Sequence, residues 1–127
     1  MPSTLTPTER TYTIALSLTK HVGPRSAIEL IEALGSATAL FTDAELRDRI
    51  LPRLPLRIAQ QLASPTLVEE ALCIEERCQK EGICPIFFLS EDYPASLREI
   101  AVPPMVLYVR GEYVAWVERK HVSVVGT

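Results

Sequence analysis

The periodicity of the chain changes at Gly82, and this change limits the fold more than any other feature. Up to Glu81 the apolar residues recur at helical spacing. From Ile83 they come in short unbroken runs, Ile83 to Leu89, Met105 to Val109 and Val122 to Val125. These runs have strand length, and runs apolar on both faces belong to strands covered by helices on both sides of a sheet. The second run lies between Pro103-Pro104 and Gly111, and Tyr93-Pro94-Ala95-Ser96-Leu97 before it suggests a short helical turn. The third ends in Gly126-Thr127. A buried parallel strand needs a crossover helix after it. The end of the chain therefore reads as the front of a strand-to-helix turn, and the polypeptide as part of a larger protein.

Before Gly82 the signals are those of short helices. Thr6-Pro7-Thr8-Glu9 is a capping box with proline at the first helical position, predicting a helix to about Lys20 with Ile14, Ala15 and Leu18 as its buried stripe. Gly23-Pro24 breaks the chain and opens a second helix, in which Ile28, Ile31 and Leu34 recur at helical spacing. Gly35 stands where a left-handed C-terminal cap is wanted. Ser36 caps a short turn through Phe41, and Thr42-Asp43-Ala44-Glu45 reads as a second capping box leading to about Ile50. Leu56 to Leu62 forms one more short helix, and Ser64-Pro65-Thr66 starts the longest, which Gly82 ends. The expected architecture is an all-α bundle over residues 1–64, followed by the first strands of an α/β domain over 65–127.

Composition excludes several classes. Hydrophobic residues make up 47% of the chain and charged residues 23%, as in a folded protein rather than a disordered one. No apolar run is long enough to span a bilayer, and the Thr-rich N-terminus lacks a signal-peptide pattern, so a cytoplasmic location is expected. Cys73, Cys78 and Cys84 form no close Cys-x-x-Cys pair, which favours structural or incidental thiols over a metal site. The net charge of -3 argues against coating nucleic acid by bulk attraction. Residues 1–64 carry seven Lys/Arg and six Asp/Glu, whereas 65–127 carry six and ten. Any contact with nucleic acid must be local, built from a few placed groups.

Three ordered motifs narrow the reading. Glu91-Asp92-Tyr93-Pro94-Ala95-Ser96-Leu97-Arg98-Glu99-Ile100 is an acidic-Tyr-Pro-x-x-Leu turn. Pro103-Pro104-Met105-Val106-Leu107-Tyr108-Val109-Arg110-Gly111 is a Pro-Pro-x-x-Leu-Tyr-x-basic-Gly strand, and Val122-Ser123-Val124-Val125-Gly126-Thr127 a Val-Gly-Ser/Thr strand end. Together they resemble the DprA/Smf family of DNA-processing proteins. The resemblance implies a Rossmann-like core, of which residues 65–127 would be the N-terminal part, truncated before the family's next arginine and its later glycine-rich loop. It also implies a sterile-alpha-motif-like or helix-hairpin-helix-like domain over 1–64. Its functional implications are binding and protection of single-stranded DNA, loading of the RecA recombinase in natural transformation, and self-association, with no catalysis, cofactor, metal or membrane.

Two candidate sites follow. Leu18-Thr19-Lys20-His21-Val22-Gly23-Pro24-Arg25 stands where a helix-hairpin-helix has its tight Gly-x-Gly turn, whose backbone N–H groups point at a phosphate. Only Gly23 is kept, His21 replaces the first glycine, and Pro24 removes an N–H. A purely structural turn is the competing reading, with Lys20, His21 and Arg25 still able to attract phosphate. The second candidate is Gly126-Thr127, at the strand end where open α/β sheets bind ligands. Arg49, Arg53 and Arg57 read as solvated surface, and Tyr93, Tyr108 and Tyr113 as packing rather than a base-stacking platform, while Trp116 falls in a poorly patterned stretch that assigns it no place. Two alternatives from other classes stay open, a Rossmann-like nucleotide phosphoribohydrolase fragment and a helical protein–protein adaptor.

Overall fold

A computed structural model describes residues 5–110 and 124–125. The first helix, α1 (Pro7–Ser17), starts as its sequence dictates: the Thr6 hydroxyl accepts from the Glu9 N–H at 3.1 Å, and proline occupies the first turn. It ends earlier than the expected Lys20. Beyond Leu18 the backbone turns away, because the Lys20 N–H and carbonyl are both taken by the Gln61 side chain instead of by helical partners. Thr13, Ile14, Ala15 and Leu16 are buried, and Leu18 only half so.

Helix α2 (Pro24–Leu34) buries Ala27, Ile31 and Leu34 and stops at Gly35, whose φ of 91° is the left-handed cap its position predicts. Ser36 then caps α3 (Ala37–Thr42), its hydroxyl accepting from the Ala39 N–H. The next cap is Asp43 and not Thr42. The Asp43 carboxylate accepts from the Leu46 N–H at 3.0 Å to start α4 (Ala44–Ile50), while Thr42 still belongs to α3 and donates to the Thr38 carbonyl. Helix α5 (Leu56–Ala63) buries Ile58 and Leu62. Helix α6 (Thr66–Glu81) packs along α1 and ends at Gly82 with φ 68°. None of the helices among the described residues is long and apolar enough to cross a membrane.

The sheet departs from expectation in direction. Strand β1 (Ile83–Phe87) pairs with β2 (Val106–Arg110) antiparallel, with Ile86 opposite Leu107 and Phe87 opposite Val106. Strand β3 (Val124–Val125) pairs with β2, again antiparallel, in the order β1-β2-β3. The expected parallel pairing is therefore corrected. Residues 88–105 return the chain beside β1 through a short helix, α7 (Ala95–Arg98), and no long crossover intervenes. Pro85 is tolerated inside β1 because β1 is an edge strand of this order.

Burial on both faces of β2 is as expected, but the cover is local. Val106 and Tyr108, with Phe87, join the cluster that holds Ile14, Leu16, Ile31 and Leu40 of the helices. Leu107 and Val109, with Ile86 and Tyr93, form a second cluster against which Phe88 and Leu97 pack. Val106 and Val109 have no exposed surface, each worth about 1.5–3 kcal/mol of burial. One continuous apolar cluster thus runs from α1 to β2 and positions the α1–α2 turn beside the segment that enters β2.

Candidate nucleic-acid interface

The turn between α1 and α2 is built by three non-glycine devices. The Thr19 hydroxyl, buried, donates back to the Ala15 carbonyl. Gln61 of α5 then grips Lys20 by its main chain. Its Oε1 accepts from the Lys20 N–H at 2.8 Å, and its Nε2 donates to the Lys20 carbonyl at 2.9 Å. His21 follows with φ 71°, the single non-glycine residue at positive φ among the described residues. A left-handed conformation costs a residue with a Cβ about 1–2 kcal/mol, and such outliers persist where surrounding structure over-determines them. Here Gln61 supplies that constraint. The side chains of Lys20 and His21 are left exposed.

Gly23 has a different role from the one its identity suggests. It is the N-cap of α2 with extended backbone (φ -77°, ψ 171°), and a Cβ placed on it would meet nothing within 4 Å. The left-handed residue of this turn is His21. The N-cap of α2 is a glycine, so no N-cap side chain satisfies its first-turn N–H groups. Arg25 reaches the other way, its Nη2 donating to the Ala101 carbonyl at 2.6 Å and tying α2 to the segment before β2. A cleft of about 310 Å³ beside the start of α2 is lined by Ser17, Val22, Gly23, Pro24, Pro104 and Met105, among others. The turn thus leaves Lys20 and His21 exposed, whereas Arg25 is drawn away from them to Ala101. Gly126 and Thr127 lie outside the described residues.

Several side chains can now be assigned to packing. Tyr93 is buried and its hydroxyl donates to the Pro104 carbonyl at 2.8 Å. Tyr108 is buried, and burial pushes its phenol up to about 12. Tyr113 and Trp116 lie outside the described residues. Burial raises the Cys78 and Cys84 thiols above their usual range, so neither is an activated thiolate. No group of three His, Cys, Asp or Glu residues suited to a metal ion occurs among the described residues. Arg49, Arg53 and Arg57 are exposed.

Sequence reasoning missed Gln61 and Arg98. Gln61 lies 41 positions from Lys20, and no local pattern marks it. Arg98 lies over the rings of Phe88 and Tyr93, at 4.8 and 5.2 Å from their centroids, and donates to the Ser90 carbonyl at 2.6 Å. Its only sequence signal was its position one residue past the Tyr-Pro-x-x-Leu turn.

The family model described as DNA recombination-mediator protein A matches residues 85–127, a match that supports membership of the chain in that family. No curated protein and no solved structure matches the chain.

Proposed function

From this family membership we propose that the chain is part of a non-catalytic protein that binds and protects single-stranded DNA and helps load the RecA recombinase during natural transformation and recombination. The observation that carries the reading is the match over residues 85–127, which spans the Tyr-Pro turn, β2 and the third apolar run. In this reading residues 65–127 begin a Rossmann-like DNA-binding domain. Residues 1–64 act as an accessory helix-hairpin-helix-like module in the cytoplasm, with self-association as a property of the complete core.

The α1–α2 turn supports a modest phosphate contact. Lys20 and His21 are exposed, and Gln61 fixes the backbone that presents them. Backbone contacts of this kind give affinity without sequence choice. A labelled thymine 30-mer titrated at low salt, with the corresponding duplex and an oligonucleotide-free nucleotide pool as competitors, tests the reading. Displacement by unlabelled single strand but not by duplex or nucleotides is the expected result. Equal competition by the duplex would remove the single-strand assignment, and cleavage of a nucleotide would favour the phosphoribohydrolase alternative.

A further inference from the structure

We propose that the groove between α2 and the β1–β2 connection is a binding site for an unpaired guanine base. The groove has a volume of about 290 Å³ and is lined by Arg25, Glu29, Glu32, Phe88, Arg98 and Ile100, among others. The proposal deepens the reading of the chain as a single-strand binder, but its test uses a free nucleoside and stands apart from that reading.

The ligand class follows from charge and shape. Two guanidinium groups and two carboxylates balance, so the groove suits a neutral polar ligand better than a phosphate. Its apolar part suits a flat one. The guanidinium of Arg98 is fixed in place before any ligand arrives, over the rings of Phe88 and Tyr93 and bonded to the Ser90 carbonyl. An arginine plane or aromatic face so held is a stacking surface for a base. Arg25 is likewise anchored through one N–H to Ala101, and a guanidinium keeps four further donors.

The base follows from the pattern of donors and acceptors. Arg25, Glu29 and Glu32 share one face of α2 at helical spacing. A carboxylate presents two acceptor oxygens and no donor. Guanine alone among the four bases carries two adjacent donors, N1–H and N2–H, to meet them. Its O6 and N7 are the acceptor pair that arginine recognises. Adenine and cytosine set a ring acceptor beside their amino group, and thymine flanks its one donor with two carbonyls, so each would turn a lone pair toward the carboxylates. In a duplex the N1 and N2 edge is already paired, which leaves the free nucleotide and the single strand as sources.

The test is ligand-observed NMR on the full chain with deoxyguanosine, deoxyadenosine, deoxycytidine and thymidine in turn. Deoxyguanosine is expected to bind at least tenfold more tightly than the other three. The E29Q/E32Q double variant, altered only at exposed positions, is expected to keep its melting temperature and lose at least tenfold in deoxyguanosine affinity. A thymine tract with one central guanine that binds at least tenfold tighter than the all-thymine tract places the ligand in a strand. Equal binding of the two tracts, with deoxyguanosine binding retained, places it as a free nucleotide. Deoxyguanosine binding no tighter than thymidine, or undiminished in the double variant, overturns the proposal. Loss of thymine-tract binding through the α1–α2 turn would leave it standing.

Discussion

Glu9 and Arg47 hold opposite ends of the same six-residue helix. The Glu9 carboxylate accepts from the Ala37 N–H at 2.6 Å and the Thr38 N–H at 3.0 Å, at the N-terminus of α3. Arg47 Nη1 donates to the Leu40 carbonyl at 2.6 Å, near its C-terminus. An anion at the N-terminus and a cation at the C-terminus are the arrangement the helix dipole favours. A helix this short is marginal without such partners. Glu9 begins as a predicted partner in its own capping box, yet its carboxylate is spent on another helix. Glu9→Ala should therefore lower stability by about 2 kcal/mol, since it strands two N–H groups and the Thr38 hydroxyl. Urea unfolding measures this, and a loss under about 0.5 kcal/mol would show that α3 does not depend on Glu9.

Gly35 and Gly23 should respond differently to substitution. Neither has an atom within 4 Å of where a Cβ would stand, so conformation alone separates them. Gly35→Val places a β-branched residue at φ 91° and should cost at least about 1–2 kcal/mol. Gly23→Ala keeps an ordinary extended backbone and should be neutral within about 0.5 kcal/mol. Thermal melts of the two variants decide it, and equal losses would mean that the left-handed cap has been misassigned.

The Tyr108 phenol gives a pH signature at the alkaline end. Its folded value is raised to about 12 by burial, against about 10 for a free phenol. The folded state therefore holds its proton longer than the unfolded state. Its contribution is intact below pH 10 and is lost as pH climbs from 10 toward 12, by up to about 2–3 kcal/mol. The hydroxyl makes no hydrogen bond of good geometry among the described residues, although the Ser17 hydroxyl lies near enough to hold the rise back in part. Tyr108→Phe should thus be at least as stable as the parent at pH 7 and exceed it by a wider margin at pH 11. Parallel denaturation curves at both pH values check this, and an unchanged gap between the proteins would refute it.

Gln61→Ala should release the Lys20 backbone and cost about 1–2 kcal/mol, because the N–H and carbonyl of Lys20 both lose their partner. His21→Gly should instead raise stability by a few tenths to about 1 kcal/mol, relieving the left-handed strain. If His21→Gly destabilises the protein, the histidine side chain is packed rather than displayed.

What the sequence made legible was local. Thr6, Ser36, Gly35 and Gly82 act within a few residues of themselves, so their caps could be read directly. Strand direction could not, because Val106 to Val109 would be apolar on both faces in either a parallel or an antiparallel sheet. The α1–α2 turn was legible as a break at Gly23-Pro24, but the way it is held was not. Its glycine is conformationally ordinary, its histidine is the left-handed residue, and the group that fixes it comes from α5. Arg98 escaped notice because its partners Phe88, Ser90 and Tyr93 meet it only after the connection folds back.

The salt dependence of single-strand binding tests the central claim most directly. Fluorescence anisotropy of a labelled thymine 30-mer is to be followed from low to physiological salt for the parent and for Lys20→Ala. The account predicts weak binding, micromolar or weaker at physiological salt, given a net charge of -3. It also predicts that Lys20→Ala weakens binding and reduces the salt slope by about 1, the mark of one lost phosphate contact. Parent and variant curves that superimpose at every salt concentration, or submicromolar binding by both at physiological salt, would contradict it.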